Sequence, residues 1–134
     1  MKILLTGATG YIGKRLLPIL VTQGHEVICC VRDKNRFYCP EEFRKNVRVI
    51  EVDFLKIETL TAIPTDIDAA YYLIHSMSGS DNNYDELERV SAENFVHRIN
   101  QTIAKQVIYL SGIVNDKSLS KHLSSRKKVE DVLN

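Results

Sequence analysis

The chain has almost no excess charge of either sign. Lys and Arg total 18 against 17 Asp and Glu, a formal net charge of +1, so nothing electrostatic points to nucleic acid or to an anionic membrane surface. No apolar run approaches the roughly 20 residues that a bilayer-spanning helix needs. The first residues lack the basic, apolar, small-residue order of a secretory signal. Cysteine is scarce: Cys29, Cys30 and Cys39 are an odd set without metal-ligand spacing, which argues for buried reduced thiols over a metal or redox site. Cys29 and Cys30 are neighbours in a strand-like run and should face opposite sides of a sheet. A reducing cytoplasm is the expected setting. Internal repeats and low-complexity segments are also missing.

What is present is concentrated at the start. Met1-Lys-Ile-Leu-Leu-Thr-Gly-Ala-Thr-Gly-Tyr-Ile-Gly13 reads as a short buried strand, a glycine-spaced turn and the first turn of a helix. Gly7 would allow the tight turn, Gly10 a close approach of backbone to phosphate, and Gly13 the packing of helix on strand. Main-chain N–H groups and the helix dipole then favour a dinucleotide pyrophosphate at the helix N-terminus. The alternative is a glycine-rich strand-to-helix loop with no ligand.

Strand-like and helical patterns alternate along the rest of the 134 residues, the size of one domain with a real core. Strands are expected near 2–6, 26–31, 47–52, 68–75 and 106–111. Helices are expected near 11–22, 56–62, 84–104 and 120–133, with a weaker one around 40–45. Right-handed crossovers place these in a three-layer, doubly wound α/β fold of the Rossmann type, its parallel sheet ordered 3-2-1-4-5. Pro18 should bend the first helix near Lys14. Such folds normally add a further strand and a substrate-covering part. Residues 1–134 are therefore expected to be the nucleotide-binding domain at the N-terminal end of a longer protein, with the C-terminal substrate part missing.

The ends of the strands carry the chemistry. After the second strand come Arg32, Asp33, Lys34 and Arg36, where a carboxylate on the ribose would favour NAD. A guanidinium instead grips a 2′-phosphate. A contact charge pair is worth about 4 kcal/mol at an effective dielectric near 20, and a third of that gives about tenfold preference for NADP(H) over NAD(H). A solvated basic loop tip is the alternative, and Asp33 would orient Arg32 or face solvent. Asp53, after the third strand, could accept from the adenine amino group with Phe54 beside the ring, or simply cap a helix or form a turn. Beyond the fourth strand, Leu73, His75, Ser76 and Met77 should line the cofactor channel at the switch point. His75 would be a proton carrier or a structural histidine. Residues 78–83 read as a polar loop. Leu87, Val90, Phe95, Ile99 and Ile103 form an apolar helical stripe, with His97 on the solvated side. The fifth strand delivers Ser111 and Gly112 to the edge where nicotinamide would sit.

With these residues in view, the chain resembles the extended and atypical branches of the short-chain dehydrogenase/reductase superfamily, and within them NmrA-like proteins. Thr6-Gly-Ala-Thr-Gly-Tyr-Ile-Gly13 carries the resemblance most strongly. Tyr71-Tyr-Leu-Ile-His-Ser-Met77, Ala92-Glu-Asn-Phe95, Val107-Ile-Tyr-Leu110 and His122-Leu-Ser-Ser-Arg126 extend it over the whole chain. The resemblance implies that Gly7, Thr9, Gly10, Tyr11, Ile12 and Gly13 hold the pyrophosphate, Arg32 the 2′-phosphate and Asp53 the adenine. It puts Ser111 in the place of the catalytic serine. Active members carry Tyr-x-x-x-Lys on the next helix, where this chain has His122 and Arg126. Arginine does not titrate in the working range, whereas histidine does. A second departure is the stretch 100–105, which lacks the glycine that usually closes the preceding helix. The expected function is an NADP(H)-binding domain whose full-length protein reduces a small carbonyl or quinone-like substrate. A non-enzymatic redox sensor or assembly factor is the rival. A nucleotide-sugar epimerase ranks lower, and a methyltransferase lowest. Substrate and oligomeric state are not indicated.

Overall fold

The computed structural model of the protein describes residues 1–74, 84–110 and 131–133. Five strands, β1 (Lys2–Leu5), β2 (Glu26–Val31), β3 (Val47–Glu51), β4 (Ala69–Tyr72) and β5 (Gln106–Tyr109), make one sheet in the order β3-β2-β1-β4-β5. Every pairing is parallel. β1 is central: Ile3, Leu4 and Leu5 face Val27, Ile28 and Cys29 on one side and Ala69, Ala70 and Tyr71 on the other. A strand covered on both faces must be apolar throughout, and these three side chains are all buried. The expected sheet order is the observed one.

Alternation along the strands feeds two cores. Ile3, Leu5, Val27, Cys29 and Val31 pack under Leu17 and Leu20 of α1 (Tyr11–Thr22). Leu4, Ile28, Cys30, Ile50, Ala70 and Tyr72 pack under Ala92, Phe95 and Ile99 of α2 (Tyr84–Ile99). Cys29 and Cys30 thus enter opposite cores, as neighbouring strand residues must. Burial, with a smaller contribution from Cys39, pushes the Cys29 thiol up to about 12. Burial raises the Cys30 thiol as well. Aromatic rings dominate the α2 side: Tyr72 and Phe95 lie 4.6 Å apart between centroids, and Phe54 meets Tyr72 edge-on at 6.4 Å.

The helices stop for identifiable reasons. α1 runs through Pro18 and closes in a Schellman turn, with Gly24 N–H on the Val21 carbonyl at 3.0 Å and His25 N–H on that of Leu20 at 3.2 Å. Gly24 holds φ +88°, the left-handed conformation this motif asks of its glycine. α2 ends at Ile99, earlier than the expected 104. No glycine is used there; instead the Thr102 hydroxyl donates to the Ile99 carbonyl at 2.7 Å and accepts from Ala104 N–H at 3.2 Å.

Other boundaries also differ from expectation. The helix expected at 56–62 is a 3-10 helix, Ile57–Ala62, and the weaker one near 40–45 is a 3-10 turn, Glu41–Phe43. In the first, Thr61 bonds back to the Glu58 carbonyl, and Pro64 disfavours helical geometry at Ile63. β4 covers only Ala69–Tyr72 of the expected 68–75, and β5 ends at Tyr109. Within α2 the buried stripe includes Glu88 and Ser91 beside Ala92, Phe95 and Ile99, while Leu87 and Ile103 are exposed. His97 is exposed, as expected. Of the helix expected at 120–133, the described residues 131–133 are helical.

Candidate functional site

The turn after β1 is shaped by the close approach of backbone to backbone. Gly7 adopts φ +67°, and a Cβ there would lie 2.6 Å from the Leu73 carbonyl oxygen. A Cβ on Gly13 would lie 2.2 Å from the Gly7 oxygen and 2.9 Å from Ala8 Cα. Both positions exclude every side chain. Gly10 differs: its added Cβ meets only the Gly7 oxygen, at 3.3 Å, and the residue is exposed. Glycine is needed there only if something must approach from outside. Beneath the turn, the fully buried Thr6 joins β1 to β4. Its hydroxyl donates to the Tyr71 carbonyl at 2.9 Å and accepts from Leu73 N–H at 3.0 Å. Leu73 is therefore held against the glycine turn at the switch point, where the expected channel begins.

α1 opens from this turn without a side-chain cap, with Gly10 as its N-cap residue and no acidic residue in its first turn. Its first intrahelical donor is Lys14 N–H, to the Gly10 carbonyl at 2.9 Å. The N–H groups of Tyr11, Ile12 and Gly13, at the positive end of the dipole, thus have no acceptor among the described residues. Tyr11 and Ile12 are exposed at 69% and 42%, and Arg15 stacks on the Tyr11 ring at 4.2 Å. A pyrophosphate fits this cradle: space cleared of Cβ atoms, unspent N–H donors, and apolar side chains left uncovered beside them.

At the tip of β2, Arg32 is exposed. Asp33 does not orient it. The Asp33 carboxylate caps a 3-10 turn, Lys34–Arg36, by accepting from Asn35 N–H at 2.9 Å, and lies 3.8 Å from Arg36. That turn spends Asp33 and Arg36 on each other and leaves the Arg32 guanidinium without an ion-pair partner among the described residues.

After β3, Asp53 is half-buried. Its Oδ1 accepts from Leu55 N–H at 3.0 Å, and its own N–H donates to the Thr59 hydroxyl at 2.9 Å. The turn reading of this aspartate is therefore realised, and Oδ2 keeps no partner among the described residues. Phe54 is 5% exposed and its ring lies in the aromatic core, so that side chain does not sit open beside a nucleotide. Asn94 of α2 donates to the Phe54 carbonyl at 2.6 Å.

His75, Ser76, Met77, Ser111, His122 and Arg126 lie outside the described residues. Thr6, Thr59 and Asn94 were not singled out from sequence. Thr6 alone carries a local signal, a polar residue ending an apolar strand directly before the glycines. A cavity of about 340 Å³ lies between the last turn of α2 and the start of β5, lined by Phe95, Ile99 and Gln106, at the opposite end of the strands from the glycine turn. Among the described residues, no helix is long and apolar enough to cross a membrane.

The profile of a family described as NAD(P)H-binding matches residues 7–133. The chain belongs to this NAD(P)H-binding family. The match begins at Gly7, the first residue of the cradle, and agrees with the resemblance to NmrA-like, atypical short-chain dehydrogenase/reductases. Solved structures share the fold. The triphenylmethane reductase of Citrobacter sp. superimposes with a TM-score of 0.80 at 18% identity, over 99% of this chain and 45% of that one. A nucleoside-diphosphate-sugar epimerase from Staphylococcus aureus gives 0.78 at 20% identity, over 99% and 46%. The yeast methylglyoxal/isovaleraldehyde reductase complexed with NADPH gives 0.78 at 13%, over 99% and 52%. The chain spans about half the length of these structures. No match to the chain was found among curated proteins.

Proposed function

We propose that residues 1–134 are the NADP(H)-binding part of a longer reductase that acts on a small carbonyl or quinone-like substrate in the cytoplasm. The observation that carries this reading is the uncapped N-terminus of α1 facing a turn from which two glycines clear all side chains. Gly7, Thr9, Gly10, Tyr11, Ile12 and Gly13 hold the pyrophosphate, mainly through the main chain. Arg32, exposed and without an ion-pair partner among the described residues, takes the 2′-phosphate. Asp53 accepts from the adenine amino group through Oδ2, which has no partner among the described residues. Leu73, His75, Ser76 and Met77 line the path towards the nicotinamide. The bound cofactor supplies hydride. Ser111 binds the substrate oxygen, and His122 or a water gives the proton, with Arg126 as fixed positive charge. The triphenylmethane reductase complexed with NADP(H) and the yeast reductase complexed with NADPH support NADP(H) over NAD(H) by analogy of fold.

Calorimetry with NADPH and NADH tests the assignment. NADPH is expected to bind about tenfold tighter, and Arg32→Asp to reverse the order. Equal affinities, or an unchanged ratio in the variant, would remove Arg32 from the site. A second reading, a sensor that binds NADP(H) without turnover, is favoured by the resemblance, which puts His122 and Arg126 where active members carry Tyr and Lys.

A further inference from the structure

We propose that Asn94 is a positioning residue for adenine recognition: from α2 it holds the Asp53–Phe54 turn so that Asp53 presents a single carboxylate oxygen to a 6-aminopurine. The inference rests on the reading of Asp53 given above and adds what makes that reading selective.

The turn after β3 is strapped at several main-chain points near Asp53. Asp53 N–H donates to the Thr59 hydroxyl at 2.9 Å. That hydroxyl in turn lies 2.9 Å from the Asp53 carbonyl and 2.7 Å from that of Lys56. The Phe54 carbonyl takes the Asn94 amide at 2.6 Å. The Phe54 ring pins the same residue from below against Tyr72 and against Phe95, the residue next to Asn94. Thr59 is local to the turn, whereas Asn94 comes from another layer of the fold, forty residues along the chain.

Water could satisfy a part-buried carbonyl such as that of Phe54 without fixing its direction. Bonding it instead to a half-buried amide on a packed helix fixes the Phe54–Leu55 peptide plane, whose N–H is the donor that holds Asp53 Oδ1. Within the carboxylate, Oδ1 is committed to Leu55 N–H. Oδ2 is left as a fixed acceptor with no donor character. Such an atom accepts from an exocyclic amine and repels a carbonyl at the same place, so the selectivity is for adenine over hypoxanthine.

The test uses NADP⁺ and deamino-NADP⁺, which differ by the 6-amino or 6-oxo group and by the proton that the 6-oxopurine carries on N1, titrated calorimetrically against the whole chain. The wild-type protein is expected to prefer NADP⁺ by about tenfold. In Asn94→Ala the preference falls below about threefold, while binding through the phosphates persists. Thr59→Val, which loosens the other strap, shifts the ratio the same way and serves if Asn94→Ala does not fold. In an Asp53→Ala background, Asn94→Ala changes the ratio no further. A merely structural asparagine would weaken both nucleotides equally and lower the melting temperature. An unchanged ratio in Asn94→Ala therefore overturns the inference while leaving the Asp53 reading standing. Equal binding of the two nucleotides by the wild-type protein overturns both.

Discussion

Two turns at the carboxyl end of the same sheet reach their shapes by opposite means. The one after β1 depends on atoms that are not there: Gly7 and Gly13 leave space into which the Leu73 and Gly7 carbonyls crowd. The one after β3 depends on atoms supplied from elsewhere: a hydroxyl six residues on and an amide forty residues on. Steric exclusion is all-or-none, because no rotamer relieves a Cβ. A strap of hydrogen bonds is graded, because each bond contributes about 1 kcal/mol and water replaces it partly when it is lost. The first turn should therefore break outright under the smallest substitution, and the second should loosen by degrees.

Gly13→Ala attacks the first turn most directly. Its Cβ would sit 2.2 Å from the Gly7 oxygen, so α1 must move off the turn. NADPH affinity should drop by about a hundredfold, and unfolding free energy by about 1–3 kcal/mol, read by calorimetry and denaturant melts. Affinity near the wild-type value would dissolve the contrast.

Thr6→Val keeps the volume beneath the same turn but removes its hydroxyl, stranding Leu73 N–H in a part-buried position. About 1–3 kcal/mol of stability should go. A loss under 0.5 kcal/mol, on the order of noise for such melts, would mean the clamp is not holding β1 to β4. Thr59→Val, the matching change after β3, should cost only about 1 kcal/mol, since Thr59 is half-buried where Thr6 is fully buried. If the two threonine variants cost the same, fully and half-buried straps are not distinct here.

The smallest effect expected concerns the exposed tip of β2. Raising ionic strength from 0.1 to 1 M shortens the screening length from about 10 to about 3 Å. The NADPH advantage over NADH should then shrink by a few-fold. The pyrophosphate contribution, made by main-chain donors, should shift both cofactors alike. An advantage that grows with salt would exclude Arg32 as its source.

The two turns also differ in how far they could be read from the chain itself. Gly7, Gly10 and Gly13 follow an apolar strand at fixed spacing, and the spacing is the mechanism. Sheet order was legible for a similar reason, since alternating runs and the handedness of crossovers leave few arrangements. Asn94 carries no such local mark, because its meaning lies in Phe54, forty residues away. The ring of Phe54 was expected beside a nucleotide, but Tyr72 and Phe95 offer it an aromatic core. Tertiary packing decides such choices. Apolarity alone points to Leu87 and Ile103 as core, yet both are exposed, and Glu88 and Ser91 of α2 are buried instead. The 56–62 segment shows the limit of pattern: its apolar positions suit a helix, while its threonine hydroxyls hold short-range bonds.

Cys29 and Cys30 share a peptide bond yet are sealed under different layers, one with α1 and the other with α2. The pair amounts to two reporters wired in opposite directions at one point of the backbone. Pulsed alkylation during denaturation, followed by mass analysis of the single peptide that holds both, would record which helical layer lifts away first.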